Sequence, residues 1–172
     1  MVIKSNKRDF KANKLKIGTR GSPLALAQAL EVKKEIIKHH KLNDQSVEII
    51  SISTKGDRVI DRPLTEIGGK GLFTEEIEKK LFHNEIDIAV HSMKDMPTEF
   101  PTGLGINTFL KREDFRDSFV SLKYNSINEL PVGAVVGSSS IRRKAQLLSI
   151  RPDLKVVEFR GNVQTRLKKL ED

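Results

Sequence analysis

The stretch "KLKIGTRGSPLALAQAL" (residues 14–30) decides the fold. It changes period part-way along. Lys14–Thr19 alternates as a short strand does, with Leu15 and Ile17 on one side. Ser22 then has the side chain of a helix N-cap. Pro23 at the first helical position has a preset φ and no N–H to leave unpaired. From Pro23 to Lys38 the apolar residues fall at 26, 29, 30, 36 and 37, which is helical spacing. A strand, a tight Gly-containing turn and a capped helix make half of a β-α-β unit.

The same grammar recurs downstream. "SVEIISIST" (46–54) reads as a strand, and "KGDRVIDRPLTEIGGKG" (55–71) as a charged, Gly-rich loop. "LFTEEIEKKLFHN" (72–84) places Phe73, Ile77 and Leu81 at i, i+4, i+8 of a helix. Ile86–Val90 is an apolar strand that stops at His91-Ser92-Met93-Lys94-Asp95, with Pro97 ending regular structure. "GLGINTFL" (103–110) and "SFVSL" (118–122) read as short strands. "GAVVGSSSIRRKAQLL" (133–148) and "LKVVEFRGNVQTRLKKL" (154–170) each read as strand, turn, helix. Strands alternating with helices predict an α/β fold with right-handed crossovers and mainly parallel sheets. The expected division is a flexible basic tail at 1–13, a first α/β domain at 14–100 and a second at 101–172. Pro97–Pro101 is read as the hinge. The second domain is expected to be incomplete, because it is small for independent burial and the last helix has no stop signal.

Composition narrows the function classes. With 37% hydrophobic residues the chain can build a core, so it is not read as disordered. No apolar run reaches the length of a membrane span, and the N-terminus lacks a secretory h-region. The expected location is therefore cytoplasmic, with no membrane partner. Cysteine is absent, which removes disulfides and thiolate chemistry from this chain. The net charge of +8 suits either nucleic acid or small polyanions. Eight Phe, one Tyr and no Trp supply few stacking platforms, so nucleic acid is not the expected partner. His39, His40 and His83 sit in polar helix ends, and no metal site is expected.

In an α/β sheet, ligands bind beyond the carboxyl ends of strands. Four turns are expected there: "GTRGS", "HSMKD", "GSSSIRR" and "RGNVQTR". Each carries a cation. Arg142 and Arg143 follow Ser138–Ser140 directly, Arg166 lies in the first turn after Asn162, and Arg20 and Arg160 flank the other turns. A cation in the first turn of a helix is unfavourable by roughly 0.3–1 kcal/mol at an exposed site. Cations together with free N–H groups are what a bound anion requires. A single such Arg is most often a solvated surface residue, but five of them in three separated turns make coincidence less likely and point to a bound anion, with a planar fork that matches a carboxylate. The loop "IGGKGLF" around Lys70 lacks Walker spacing and reads as mobile or as a plain turn. Asp95 is the one carboxylate expected among these cations. It is read as an ion-pair partner on residue type alone, or as an anion that stabilises a positive intermediate.

Taken together, "TRGSPLALAQA", "GGKGLFTEEIE", "DIAVHSMKDMPTE", "KREDFRDSFVS", "VGSSSIRRKAQL" and "FRGNVQTRL" closely resemble the porphobilinogen deaminase (hydroxymethylbilane synthase) family, in order and spacing, over residues 14–172. The resemblance implies two doubly wound lobes similar to type II periplasmic binding proteins, with the active site between them. The second lobe and the first sheet would be incomplete and a third domain absent. It implies a transferase of haem and porphyrin biosynthesis that joins four porphobilinogen units into a linear tetrapyrrole and releases ammonia at each step. The expected assembly is a monomer.

By that pattern Asp95 is the catalytic carboxylate. Arg20, Ser22, Arg160 and Lys70 bind the substrate or growing chain. Lys94, Ser138, Ser140, Arg142, Arg143 and Arg166 hold the dipyrromethane cofactor. Two departures stand out. Glu66 replaces the more usual residue of the loop, and the cysteine that carries the cofactor in relatives is missing, so the chain alone is expected to be inactive. The alternative is a non-enzymatic small-polyanion-binding module of the same architecture.

Overall fold

A computed structural model describes residues 2–4 (backbone only), 14–58 and 71–171. The chain divides into two compact units, Met1–Lys111 and Arg112–Asp172. The Pro97–Pro101 stretch falls inside the first.

The first unit is built on one five-stranded sheet. Its strands are β1 (Val2–Lys4), β2 (Leu15–Arg20), β3 (Val47–Ile52), β4 (Ile88–Ala89) and β5 (Leu104–Ile106), in the order β3-β2-β4-β1-β5. β2 runs parallel to β3 and β4. β1 is antiparallel to both of its neighbours, so the other four strands share one direction. Within the segment read as a tail, Val2–Lys4 is therefore a strand; residues 1 and 5–13 lie outside the described residues.

Helices cover both faces of this sheet. α1 (Pro23–His40) begins as its sequence dictates: Ser22 Oγ accepts the Ala25 N–H at 3.3 Å and Pro23 opens the first turn. α1 packs Ala29 and Val32 against Leu15, Ile17, Val47, Ile88 and Val90. On the other face, α3 (Glu75–Phe82) packs Ile77 and Leu81 against Ile52, Ile86 and Ala89. Fully burying one side chain such as Ile17 or Ile77 stabilises by about 1.5–3 kcal/mol, so the two stripes fix which face each helix takes. The 55–71 stretch, read as a loop, contains one helical turn, α2 (Lys55–Arg58). Phe73 precedes α3 instead of joining its apolar stripe.

Gly18 lies in the interior strand β2, where a Cβ would stand 2.3 Å from Ile86 Cδ1 and 3.1 Å from Ile52 Cδ1. Both atoms are the ends of flexible side chains. Gly18→Ala is therefore expected to cost only about 1 kcal/mol, the low end for overpacking, read as a lower urea midpoint at unchanged slope. A loss above about 3 kcal/mol would show that Ile86 cannot yield.

The second unit holds β6 (Val135–Gly137) and β7 (Lys155–Val157), which pair in parallel, with α4 (Ile141–Ile150) between them in sequence and α5 (Val163–Glu171) after them. Residues 118–122, read as a strand, are irregular, and no strand among the described residues pairs with them. Leu154 is the buried hydrophobic side chain among the described residues of this unit, while Val132, Ile141 and Phe115 stay largely exposed. Polar bonds tie its loops instead. Arg151 donates to the carbonyls of Ile127 (2.9 Å) and Leu130 (3.0 Å) and pairs with Asp153 at 2.7 Å. The architecture is thus mixed α/β with parallel strand pairs in both units.

Candidate functional site

In the first unit the carboxyl ends of β2, β3 and β4 lie on one edge, since these strands are parallel neighbours. Arg20 ends β2. Its Nε donates to Asp57 Oδ1 at 3.1 Å and Oδ2 at 3.3 Å, and Nη2 donates to the same carboxylate. Its Nη1 lies 3.5 Å from Asp95 Oδ2. The Phe73 ring covers the guanidinium, with Cζ 4.0 Å from the centroid. Arg20, Asp57 and Asp95 are each about three-quarters buried. Asp57 is itself anchored by Thr54, through Oγ1 at 2.7 Å and the backbone N–H at 3.3 Å. Burial pushes the Asp57 carboxyl up, but the bonds from Arg20 and Thr54 outweigh it and hold the group below its ordinary value.

Asp95 is carried by a 3-10 turn, Met93–Asp95, that follows β4 and closes with the Asp95 N–H on the Ser92 carbonyl at 3.0 Å. Ser92 Oγ bonds Gln28 Oε1 of α1 at 3.1 Å. Lys94 is exposed. The strand end is held by Val90, whose N–H donates to the Gly18 carbonyl and whose carbonyl lies 3.2 Å from Thr19 Oγ1. His91 is the surprise. Its Nε2 is buried with no hydrogen-bond partner, and burial, with the positive charge of Arg20 adding to it, pushes the imidazole down to about 4. It is a neutral ring at neutral pH.

The second unit places the other candidates at two parallel strand ends. After β6, Ser138 Oγ accepts the Ser140 N–H at 3.3 Å, and Ser140 Oγ caps α4 by accepting the Arg143 N–H at 3.3 Å. Arg142 is exposed in the first turn of α4. Arg143 is paired, donating from Nη2 to Asp117 Oδ1 at 2.7 Å; that bond lowers the Asp117 carboxyl and raises the guanidinium. After β7, Gly161 at φ +127° turns the chain into α5, and a Cβ there would stand 2.7 Å from Thr165 Cγ2. Asn162 Oδ1 accepts the Thr165 N–H at 2.8 Å. Arg166 follows in the first turn with its Nε buried and unpartnered. The Arg160 carbonyl accepts from Lys169 Nζ at 3.2 Å.

Of the residues picked from sequence, Arg20 and Asp95 are brought together in the first unit. Ser138, Ser140, Arg142 and Arg143 share one turn, and Arg160 and Arg166 the next. Ser22 caps α1, and Lys70 lies outside the described residues. Sequence reasoning missed Asp57, Phe73 and Asp117. Asp57 was within reach, because it follows β3 on the same edge as Arg20 and His91. Phe73 was assigned to a helix stripe that begins two residues after it. Among the described residues no cluster of His, Asp and Glu could hold a metal ion, and no helix is long and apolar enough to cross a membrane.

Residues 15–172 match the family described as "Porphobilinogen deaminase, dipyromethane cofactor binding domain". The chain is 66% identical over 160 residues to the porphobilinogen deaminase of Paracoccus denitrificans (strain Pd 1222), an alignment covering 93% of this chain and 51% of that protein. The chain thus spans about half the length of the curated relative it matches. It belongs to the porphobilinogen deaminase family.

Proposed function

We propose, with that membership as premise, that this chain supplies the paired α/β portion of a hydroxymethylbilane synthase. This transferase joins four porphobilinogen units into a linear tetrapyrrole with loss of ammonia at each step. The two units are taken as lobes of the type II periplasmic-binding-protein kind. The observation that carries the reading is Arg166. Its buried Nε has no hydrogen-bond partner, and its charge sits in the first turn of a helix, where a cation is disfavoured. An unpaired buried donor on a charged group is costly. A ligand carboxylate removes both penalties at once, and porphobilinogen carries an acetate and a propionate.

The residues present suit a dipyrromethane, whose side arms are likewise carboxylates. Arg142, Arg143 and Arg166 would hold those groups, with Ser138, Ser140 and Lys94 beside them. Serine hydroxyls that accept a backbone N–H as caps still have a proton to donate to a carboxylate. When bound, the dipyrromethane supplies the primer on which the chain is built. With no cysteine, this chain holds it by non-covalent contacts alone. Arg20, Ser22, Arg160 and Lys70 would meet the incoming substrate. Asp95, beside Arg20, would accept hydrogen bonds from pyrrole N–H groups and stabilise the cation left when ammonia departs.

Calorimetric titration of porphobilinogen into the chain at low salt tests this. Saturable binding is expected, weakened about tenfold by Arg166→Ala, the loss of one charged hydrogen bond. Asp95→Ala should weaken it too. A polyanion-binding module of the same architecture predicts that Asp95→Ala leaves binding unchanged or improves it, because a carboxylate among cations only repels an anion. Absence of porphobilinogen binding, or equal affinity in the Arg166→Ala variant, would overturn the reading.

A further inference from the structure

Arg20 stands between two carboxylates but treats them unequally. Asp57 takes the Nε–Nη2 edge of the guanidinium as a fork, whereas Asp95 is approached by Nη1 alone at 3.5 Å. The second distance lies beyond the roughly 2.7–2.9 Å of a formed charge-assisted hydrogen bond. Three contacts hold this asymmetry in place. Thr54 grips Asp57 from its side chain and its backbone, so the carboxylate cannot follow Arg20. Phe73 covers one face of the guanidinium. Gly56 lets that ring approach α2 closely, since a Cβ there would stand 2.2 Å from Phe73 Cε1.

We propose that Asp57 is a positioning residue that holds Arg20 back from Asp95 and so keeps the Asp95 carboxylate free for substrate. Without Asp57, a largely buried cation is left with one anion within reach among the described residues, Asp95. The attraction between them is then unopposed, and the pair closes. Each Asp95 oxygen spent on Arg20 is an acceptor withdrawn from a pyrrole N–H. Asp57 is fitted to this task because the bonds from Arg20 and Thr54 keep it ionised despite its burial. The other charged side chain of the turn, Lys94, is exposed, and so competes weakly for Asp95.

This rests on the substrate reading of Asp95, and the test separates the two. Crystal structures and porphobilinogen titrations are compared for the parent chain, Asp57→Asn, Asp57→Glu, Asp95→Asn and the Asp57→Asn/Asp95→Asn double variant. In Asp57→Asn the Arg20 Nη1–Asp95 distance is expected to contract from 3.5 Å to about 2.8 Å. Affinity should fall about tenfold. In the Asp95→Asn background the same change should cost less than about twofold, because no rival carboxylate remains. Asp57→Glu keeps the charge and should recover most of the affinity. A purely structural Asp57 would give equal losses in both backgrounds and an unmoved Arg20, and either result overturns the proposal. If Asp57→Asn does not fold, Asp57→Glu decides: an Arg20 closed onto Asp95 despite the retained charge overturns it. Contraction in a parent that binds no porphobilinogen supports the positioning role and removes the substrate reading instead.

Discussion

Between pH 6.5 and about 4 the chain is expected to lose roughly 3 kcal/mol of stability through His91 alone. The imidazole ordinarily takes its proton near 6.5, but burial, with positive charge nearby adding to it, pushes it down to about 4 in the folded chain. Below 6.5 the unfolded chain therefore binds a proton that the native chain refuses. Stability rises with pH wherever the unfolded state holds more protons, so it falls as pH is lowered through this window and the loss is complete near pH 4. Each pH unit between those two values is worth about 1.4 kcal/mol. Urea denaturation at pH 7 and pH 4.5 measures it. His91→Gln should flatten the difference while leaving the neutral-pH value within about 1–2 kcal/mol, the scale of one buried polar change. Equal pH dependence in the two proteins would mean that His91 is protonated freely in the folded state. Asp57 does not mask the effect. Its depressed value contributes stability that is present above the ordinary 3.8 and lost only below it, so the two windows do not overlap.

His91 also shows where sequence reading stops. The run Ile86–Val90 is legible as a strand because its residues are apolar and β-branched, and Pro97 marks its end. Nothing in that run says that the next side chain will be buried with an orphaned nitrogen. Burial of that kind comes from tertiary neighbours. Likewise Ser22-Pro23 predicted the start of α1 because capping is local chemistry, completed within three residues. Ser140 and Asn162 were equally readable as turn residues, and both accept N–H groups at the start of helices. Of the two partners of Arg20, Asp95 was picked out at the end of β4 and Asp57 was missed. Asp57 and Asp95 are 37 and 75 residues away along the chain, and only the parallel register of β2, β3 and β4 brings them to one edge. The cations could be picked out by their misfit with helix starts. Asp95 was placed among them by its turn, but Asp57 was passed over, because an Asp in a loop violates no local rule. Residues 118–122 failed for the opposite reason: their alternation satisfies the local rule for a strand, and among the described residues no strand pairs with them.

Gly56→Ala should destabilise the chain by about 1–3 kcal/mol, the range for overpacking, although a local argument predicts the reverse. Gly56 lies inside a helical turn, where Ala is favoured over Gly by about 1 kcal/mol. The packing decides the sign. The new Cβ would stand 2.2 Å from Phe73 Cε1 and 2.6 Å from both Cδ1 and Cζ. These are atoms of a rigid ring, unlike the flexible methyl ends that face Gly18. The backbone cannot retreat either, because the Gly56 N–H is bonded to the Leu72 carbonyl at 2.7 Å. The ring must therefore move, and it is the ring that covers Arg20. A cation–π contact is worth about 0.5–1 kcal/mol exposed and about 2 or more when desolvated, so its loss adds to the clash. The change should thus lower the denaturation midpoint and weaken porphobilinogen binding together. Phe73→Leu introduced into the Gly56→Ala chain should restore much of the stability by vacating the space, but not the binding, because the aromatic face is gone. Recovery of both would mean that Phe73 only fills volume. A Gly56→Ala chain as stable as the parent would mean that the ring yields without cost, and that α2 does not constrain how Arg20 is held.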